Sequence, residues 1–301
     1  MDTGDSTDWV SISHNLYVNY VLQAVPLVIL YYDYLLTLGD EIENYWPPRR
    51  PLTWLSGLFL GTRYLTLLGF VPIVVTMVWG TETAVRKCGP VQLYHSFLEI
   101  LLQIPVGLLC LLRVYALYSK DRRILWGLTL SGLILLAIAI YFVTTLNGHA
   151  PAYFWSSAPL CGNSRTADDG IRFAACWSAV LVFDFLVFLL TAVRAFRVWQ
   201  SGVIVRVVLR DGVLYFCALA ASNLLNIIVL VAATPLLKTT FASLTNVLSV
   251  TLISRLMLNL RSDTTEDVLT EDTELSGTQP ANLDTYIVVP ESHIGTRRSM
   301  A

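Results

Sequence analysis

Long apolar runs, separated by short polar segments, dominate the 301-residue chain. A helix needs about 20 mostly apolar residues to cross a bilayer, because the hydrocarbon layer is about 30 Å thick and each residue rises about 1.5 Å. Seven runs reach that length, approximately residues 16–38, 53–79, 91–117, 124–146, 172–195, 212–234 and 236–258. The pattern predicts an all-α membrane protein with a bundle of seven transmembrane helices. Because only a short segment around Pro235 separates the last two runs, six spans with one long broken helix is the alternative.

Composition points the same way. Only 14% of the residues are charged and 55% are hydrophobic, whereas a soluble domain carries roughly 25% charged residues. The formal net charge is −2, and the chain contains no long basic run of the kind that binds nucleic acid. We therefore expect the lipid bilayer, and not nucleic acid, as the main partner.

The Lys and Arg residues of the short loops predict the orientation, because these residues concentrate on the cytosolic side. With the N-terminus outside, ten of them lie on the inner side and five on the outer side. This predicts a short outer N-terminus over 1–15, a transmembrane domain over 16–261 and a cytosolic C-terminus. Residues 262–301 begin with an acidic, Ser/Thr-rich stretch that favours a flexible tail. The expected location is a multi-pass one, in the plasma membrane rather than an internal membrane.

Two of the five cysteines lie outside the apolar runs. Cys88 precedes the third run and Cys161 lies in the long loop after the fourth, so the predicted orientation places both outside. Disulfides persist in that oxidising compartment. We expect a Cys88–Cys161 disulfide that holds the loop over the outer end of the bundle, and two unpaired thiols are the alternative.

Ionisable side chains inside a span are costly and mark candidate functional residues. Asp33 and Arg63, in the first two spans, differ in depth by about 7 Å at about 1.5 Å per residue. A long Arg side chain can cover that distance, which predicts a buried ion pair. Arg113 and Arg255 lie near the inner ends of spans three and seven. With Tyr115, they are candidate contacts for a cytosolic signalling protein, and anchoring to the headgroups is the alternative.

Glu99 and Asp184 have no basic residue at matching depth. Both could be protonated and pack as neutral hydrogen-bonding groups. Both could instead line a water-filled or cationic-ligand cavity. The expected ligand at the outer face is a small molecule or a peptide. The sequence leaves these two interpretations open, and they differ in whether the two side chains converge.

Catalytic patterns are missing from the sequence. The four histidines are scattered, with no pair at the i, i+4 spacing of a helical zinc site. There is also no Gly-rich phosphate loop, no Walker-type lysine and no nucleophile elbow. We expect no catalytic residues, no metal and no cofactor, and therefore a protein that is not an enzyme.

Several sequence blocks resemble a known family. "YDYLLTLGDEIENYW" (32–46) and "GTRYLTLL" (61–68) are similar to the opening block of a seven-span membrane family of mushroom-forming fungi, domain-of-unknown-function family 6533. "LLRVYALYSKDRRIL" (111–125) and "LISRLMLNLR" (252–261) resemble its later signatures. The resemblance implies seven spans and brings no established activity.

The layout also resembles that of G-protein-coupled receptors, by architectural analogy. It has seven spans, an outer N-terminus, a cysteine at span three facing the second outer loop, and Arg-x-Tyr at the inner end of span three. Leu112 replaces the acid that usually precedes that arginine, and span seven lacks Asn-Pro-x-x-Tyr. We expect a receptor-like protein, with a small-solute transporter or channel and a ligand-free membrane scaffold as alternatives.

Overall fold

Apolar helices make up most of the molecule. The computed structural model describes residues 3–46, 53–78, 88–144, 152–155, 160–163, 166–198 and 203–274. Seven helices in these ranges are long and apolar enough to cross a membrane, which confirms the predicted all-α seven-helix membrane architecture. Their bounds are α1 Thr3–Tyr45, α2 Trp54–Val78, α3 Cys88–Leu117, α4 Arg122–Thr144, α5 Ala167–Val198, α6 Val203–Ala232 and α7 Thr240–Glu274.

Lys238 stabilises the turn between α6 and α7. Lys238 is buried, and its Nζ donates to the Leu230 carbonyl at 3.0 Å and to the Val231 carbonyl at 3.3 Å. Carbonyls in the last turn of a helix have no partner within that helix, and a cation there also complements the helix dipole. The short segment around Pro235 therefore ends one helix and starts the next, which excludes the six-span alternative.

Helices that follow each other along the chain are also neighbours in the bundle. Each helix contacts the next one along the chain, and α7 returns to contact α1. In addition, α3 contacts α5 and α7, while α7 contacts α2. In the most apolar segment of α7, 67% of the residues are buried, compared with 6% for α4. Among the seven, α7 is therefore the central helix and α4 is peripheral.

Apolar side chains both fill the bundle and cover its outside. One buried cluster joins α1, α2, α3 and α7 around Leu30, Phe70, Leu102 and Val247. Large apolar side chains on the outer faces, such as Leu68, Leu93 and Leu133, are more than half exposed. Lipid tails are as apolar as the core, so such faces are stable in a bilayer and would be unfavourable in water.

Several elements differ in extent from the sequence prediction. The loop after α4 contains an antiparallel pair of strands, β1 (Ala152–Trp155) and β2 (Leu160–Asn163), with Phe154 opposite Cys161. At its C-terminal end, α1 continues to Tyr45, and α7 continues to Glu274, into the segment expected to be a flexible tail. Adding residues to a formed helix is much easier than nucleating a new one, so the spans extend beyond the apolar runs.

Candidate functional site

Buried polar side chains are most numerous on α7 among the described helices. They recur along most of its span: Thr240, Ser243, Thr245, Asn246, Ser249, Thr251 and Ser254 are all buried. Such groups need partners within the protein, because lipid supplies none. The contacts that they make define the candidate site.

At its first turn, α7 is joined to α1. The Asn19 Nδ2 of α1 donates to the Leu236 carbonyl at 3.1 Å, and Thr240 Oγ1 donates to Asn19 Oδ1 at 3.3 Å. Gln23, one turn further along α1, donates to the same Asn19 oxygen at 2.8 Å. One buried amide therefore links α1 to the turn before α7 and to the start of α7 itself.

One turn further along α7, Ser243 contacts Glu99 of α3. Ser243 Oγ donates to Glu99 Oε1 at 2.8 Å and lies 3.0 Å from His95 Nε2. The same His95 nitrogen lies 3.4 Å from Glu99 Oε1, and all three residues are buried. These three side chains therefore connect α3 to α7.

The middle of α7 has a second polar contact with α3. Gln103 Nε2 donates to Asn246 Oδ1 at 2.8 Å, and Asn246 Nδ2 donates to the Ala242 carbonyl at 3.1 Å. On the other side of α7, Thr245 Oγ1 donates to the Ser222 carbonyl of α6 at 3.3 Å. This central part of α7 is thus tied to both of its neighbours.

Asp184 lies in a different helix contact. Its carboxylate accepts a short hydrogen bond from the Asn223 amide, which joins α5 to α6. Glu99 lies between α3 and α7, so the structure places the two acids in separate helix contacts. Sequence depth alone could not reveal these polar partners, and the interpretation that the two acids line a cavity stays a prediction.

The predicted Asp33–Arg63 ion pair was wrong. Arg63 of α2 pairs with Glu41, with Nε 2.8 Å from Oε2, and the two side chains are 4% and 0% exposed. Asp33 pairs instead with Arg255 of α7, whose Nε lies 2.6 Å from Oδ1. The prediction ended the first span at residue 38, so Glu41, one turn beyond, was left out as a partner.

Glu41 is the centre of a polar cluster where α1 ends. Its Oε1 accepts from Tyr64 OH at 2.9 Å and from Trp46 Nε1 at 3.1 Å. Tyr64 OH lies 3.3 Å from Tyr34 OH. Sequence reasoning missed this cluster, although Asp33, Thr37 and Glu41 recur every fourth residue and thus share one face of α1.

The residues proposed for the cytosolic face lie on two helices, α3 and α7. Arg113 lies half-buried on α3, as does Tyr115, whereas Arg255 turns toward Asp33 on α1. Nearby, Arg194 Nε of α5 donates to the Leu117 carbonyl at the end of α3 at 3.2 Å, and its guanidinium stacks on Tyr118. Within the described ranges, Arg113 makes no ion pair with an acidic side chain, and its role as a contact for a cytosolic protein stays a prediction.

The predicted disulfide lies outside the described side chains. The side chains of Cys88 and Cys161 are not among them, although β2, which carries Cys161, contacts both α3 and α1. The other three cysteines, Cys110, Cys176 and Cys217, are free thiols. Among the described residues, no three His, Cys, Asp or Glu side chains are placed to hold a metal ion.

The comparisons with known proteins give one match. Residues 21–68 match DUF6533, a family of unknown function. No curated protein matches the chain, and no solved structure does. The matched segment supplies Asp33 and Glu41 of α1 and Arg63 and Tyr64 of α2, so it contains most of the ion-pair chemistry described above. The resemblance to the DUF6533 family drawn from the first sequence block is therefore confirmed, over a segment to which the family assigns no activity.

Proposed function

We propose that this polytopic membrane protein is receptor-like, perceiving a signal at its outer face and engaging a cytosolic partner at its inner face. The observation that carries the proposal is the set of polar contacts along α7. They join it to α1 at Asn19, to α3 at Glu99 and Gln103, to α6 at Ser222, and to α1 again at Asp33.

The contacts of α7 are better suited to transmitting a conformational change across the membrane than to catalysis. A central helix that is held by hydrogen bonds at one end and an ion pair at the other can pass a shift between membrane faces by exchanging those contacts. Receptors and switches commonly move helices by 1–2 Å in this way. We therefore propose a non-enzymatic role in which α7 is the moving element, with the signal arriving near Thr240 and leaving near Arg255.

The buried polar side chains of α7 raise transport as an alternative to signalling. A transporter or channel needs a continuous polar path, and apolar side chains interrupt this one. Leu102 and Val247 are 0% exposed, and Val250 is 2% exposed, within the same bundle interior. This packing favours signalling over conduction. A scaffold without a ligand would keep the packing and lose nothing when α7 is uncoupled from one end.

The proposal includes the orientation of the chain in the membrane and the Cys88–Cys161 disulfide. The excess of Lys and Arg in one set of loops supports an outer N-terminus and a plasma-membrane location. A Cys88–Cys161 disulfide would then lie outside, and the contact of β2 with α3 is compatible with it. Labelling of intact cells with a membrane-impermeant thiol reagent, before and after reduction, tests both points: label only after reduction supports them, and label without reduction contradicts the disulfide.

Hydrogen exchange in lipid nanodiscs tests the transmission. Ser243→Ala removes the hydroxyl that joins α7 to Glu99, and Ser178→Ala is the matched control, since Ser178 Oγ donates only to the Ala174 carbonyl of its own helix at 2.7 Å. We expect Ser243→Ala to raise exchange in peptides over residues 250–261, beyond the mutated turn, and the control to leave them unchanged. A change confined to residues 239–247 would contradict the proposal, and protein-dependent ion flux in proteoliposomes would favour the transporter.

A further inference from the structure

A small pocket lies between α1, α2 and α7, where the two ion pairs approach each other. It has room for about one water molecule, and its wall includes Asp33, Tyr34, Arg63, Leu67, Thr251 and Ser254. One member of each ion pair therefore lines the same pocket: Asp33 from the pair with Arg255, and Arg63 from the pair with Glu41.

The donors of Arg63 are only partly used. Its Nη2 donates to Thr37 Oγ1 at 2.6 Å and to the Tyr34 carbonyl at 3.2 Å. Its Nε is within ion-pair distance of Glu41 Oε2, but the N–H is not aligned for a hydrogen bond. Its Nη1 is buried and has no hydrogen-bond partner among the described residues. A guanidinium has five N–H donors, so a group that accepts from Nη1 would stabilise it.

The opposite charges of Arg63 and Asp33 determine what the pocket can bind. An anion would accept from Arg63 but would face the Asp33 carboxylate, and a cation would face the opposite conflict. A drug-sized ligand needs about 300–1,000 Å³, which this pocket does not offer. Water can accept from a guanidinium and donate to a carboxylate, and buried water commonly occupies sites that offer it such partners.

We propose that this pocket binds ordered water that bridges Arg63 to Asp33 and so joins the two ion pairs into one network of four charges. The bridge connects all three helices, since Glu41 and Asp33 lie on α1, Arg63 on α2 and Arg255 on α7. The inference does not depend on the receptor-like function, because the water site would exist in a transporter or a scaffold as well.

Radiolytic hydroxyl labelling in nanodiscs, with ¹⁸O-labelled water, tests for the bound water directly. Hydroxyl radicals formed from bound water modify the side chains beside it even where bulk solvent is excluded. We expect label on Tyr34 and Leu67 of the pocket and none on Phe70 and Leu102, which are fully buried controls in the same bundle. Pocket residues that stay as unlabelled as Phe70 would overturn the proposal.

A variant that fills the pocket provides a second test of the bound water. Ser254→Val replaces the wall hydroxyl with two methyl groups, which occupy more of the pocket, and it should lower the labelling of Leu67 at least tenfold. Persistent labelling in this variant would also overturn the proposal. If the variant does not fold, the wild-type labelling still decides the question.

A pair of carboxylate variants tests the network. Asp33→Asn and Glu41→Gln each remove one negative charge, and in a bridged network each remaining carboxylate compensates for the loss of the other. We therefore expect the decrease in Tm of the double variant to exceed the two single decreases added together. Additive decreases would mean that the two ion pairs are independent and would contradict the bridge.

Discussion

Arg255 of α7 reaches across to Asp33 of α1, with Nε 2.6 Å from Oδ1. The two partners differ in burial: the side chain of Arg255 is 44% exposed and that of Asp33 is 11% exposed. An arginine that loses its partner can extend toward the headgroups, whereas a buried carboxylate cannot leave the bundle. The stability of this contact therefore depends unequally on its two residues.

That asymmetry predicts the outcome of neutralising each partner. Arg255→Gln leaves the buried Asp33 carboxylate uncompensated, and we expect it to lower the free energy of unfolding by about 1–3 kcal/mol, less than the loss of a fully buried pair because Arg255 is partly exposed. Asp33→Asn leaves a cation that can reach the headgroups, and it should cost about 1 kcal/mol or less. Thermal unfolding in nanodiscs measures both, and a larger loss for Asp33→Asn would contradict the prediction.

Glu41 should be much more sensitive than its neighbour Glu43. The Glu41 side chain is 0% exposed and pairs with Arg63, so Glu41→Gln leaves a buried guanidinium without its counter-charge. We expect a loss of about 3–5 kcal/mol, the range for breaking a buried ion pair. Glu43→Gln on the same helix is the control, because Glu43 is exposed and such substitutions stay within about 0.5 kcal/mol. Equal losses in the two variants would show that the pair with Arg63 contributes little.

The sequence carried enough information to predict the spans but not the pairing of their charges. Apolar length is a property of each segment alone, which is why seven spans and the break near Pro235 could be predicted. The partners of Asp33 and Arg63 depend on how far α1 continues and on which helix faces it. The face shared by Asp33, Thr37 and Glu41 was present in the sequence, but the apolar-run boundary at residue 38 excluded its last member.

The central role of α7 was hidden for a related reason. A hydropathy profile treats Ser and Thr as nearly neutral, so the buried polar side chains of α7 do not interrupt its apolar run. The contact of Ser243 with Glu99 joins residues 144 positions apart, and the helix packing alone brings them together. Likewise, only the packing of α5 on α6 assigns Asn223 to Asp184.

Asp184 provides a test of charge against hydrogen bonding. Its carboxylate accepts from the Asn223 amide between α5 and α6, and a neutral amide can accept in the same way. We expect Asp184→Asn to change the free energy of unfolding by less than about 1 kcal/mol. Asn223→Leu should cost about 1–3 kcal/mol, because it leaves the partly buried Asp184 carboxyl without its donor. Thermal unfolding measures both, and a larger loss for Asp184→Asn would assign a role to the negative charge itself.

Two glycines of α2 should respond in opposite directions to the same substitution. A Cβ added at Gly69 would lie 2.7 Å from Leu98 Cδ1 of α3, closer than real contacts allow, whereas a Cβ at Gly61 would meet nothing within 4 Å. Leu98 is buried, so Gly69→Ala must displace a packed side chain, and we expect a loss of about 1–3 kcal/mol. Gly61→Ala adds helix propensity without a clash and should stabilise by about 0.5–1 kcal/mol.

The glycine pair also tests how tightly α2 and α3 pack. Gly69→Ala combined with Leu98→Ala removes the atoms that clash, so the double variant should lose less than the two single losses added together. Thermal unfolding of the four proteins in nanodiscs gives the coupling between positions 69 and 98. A double variant whose loss equals that sum would mean that the helices separate freely at this point and that the contact does not fix their distance.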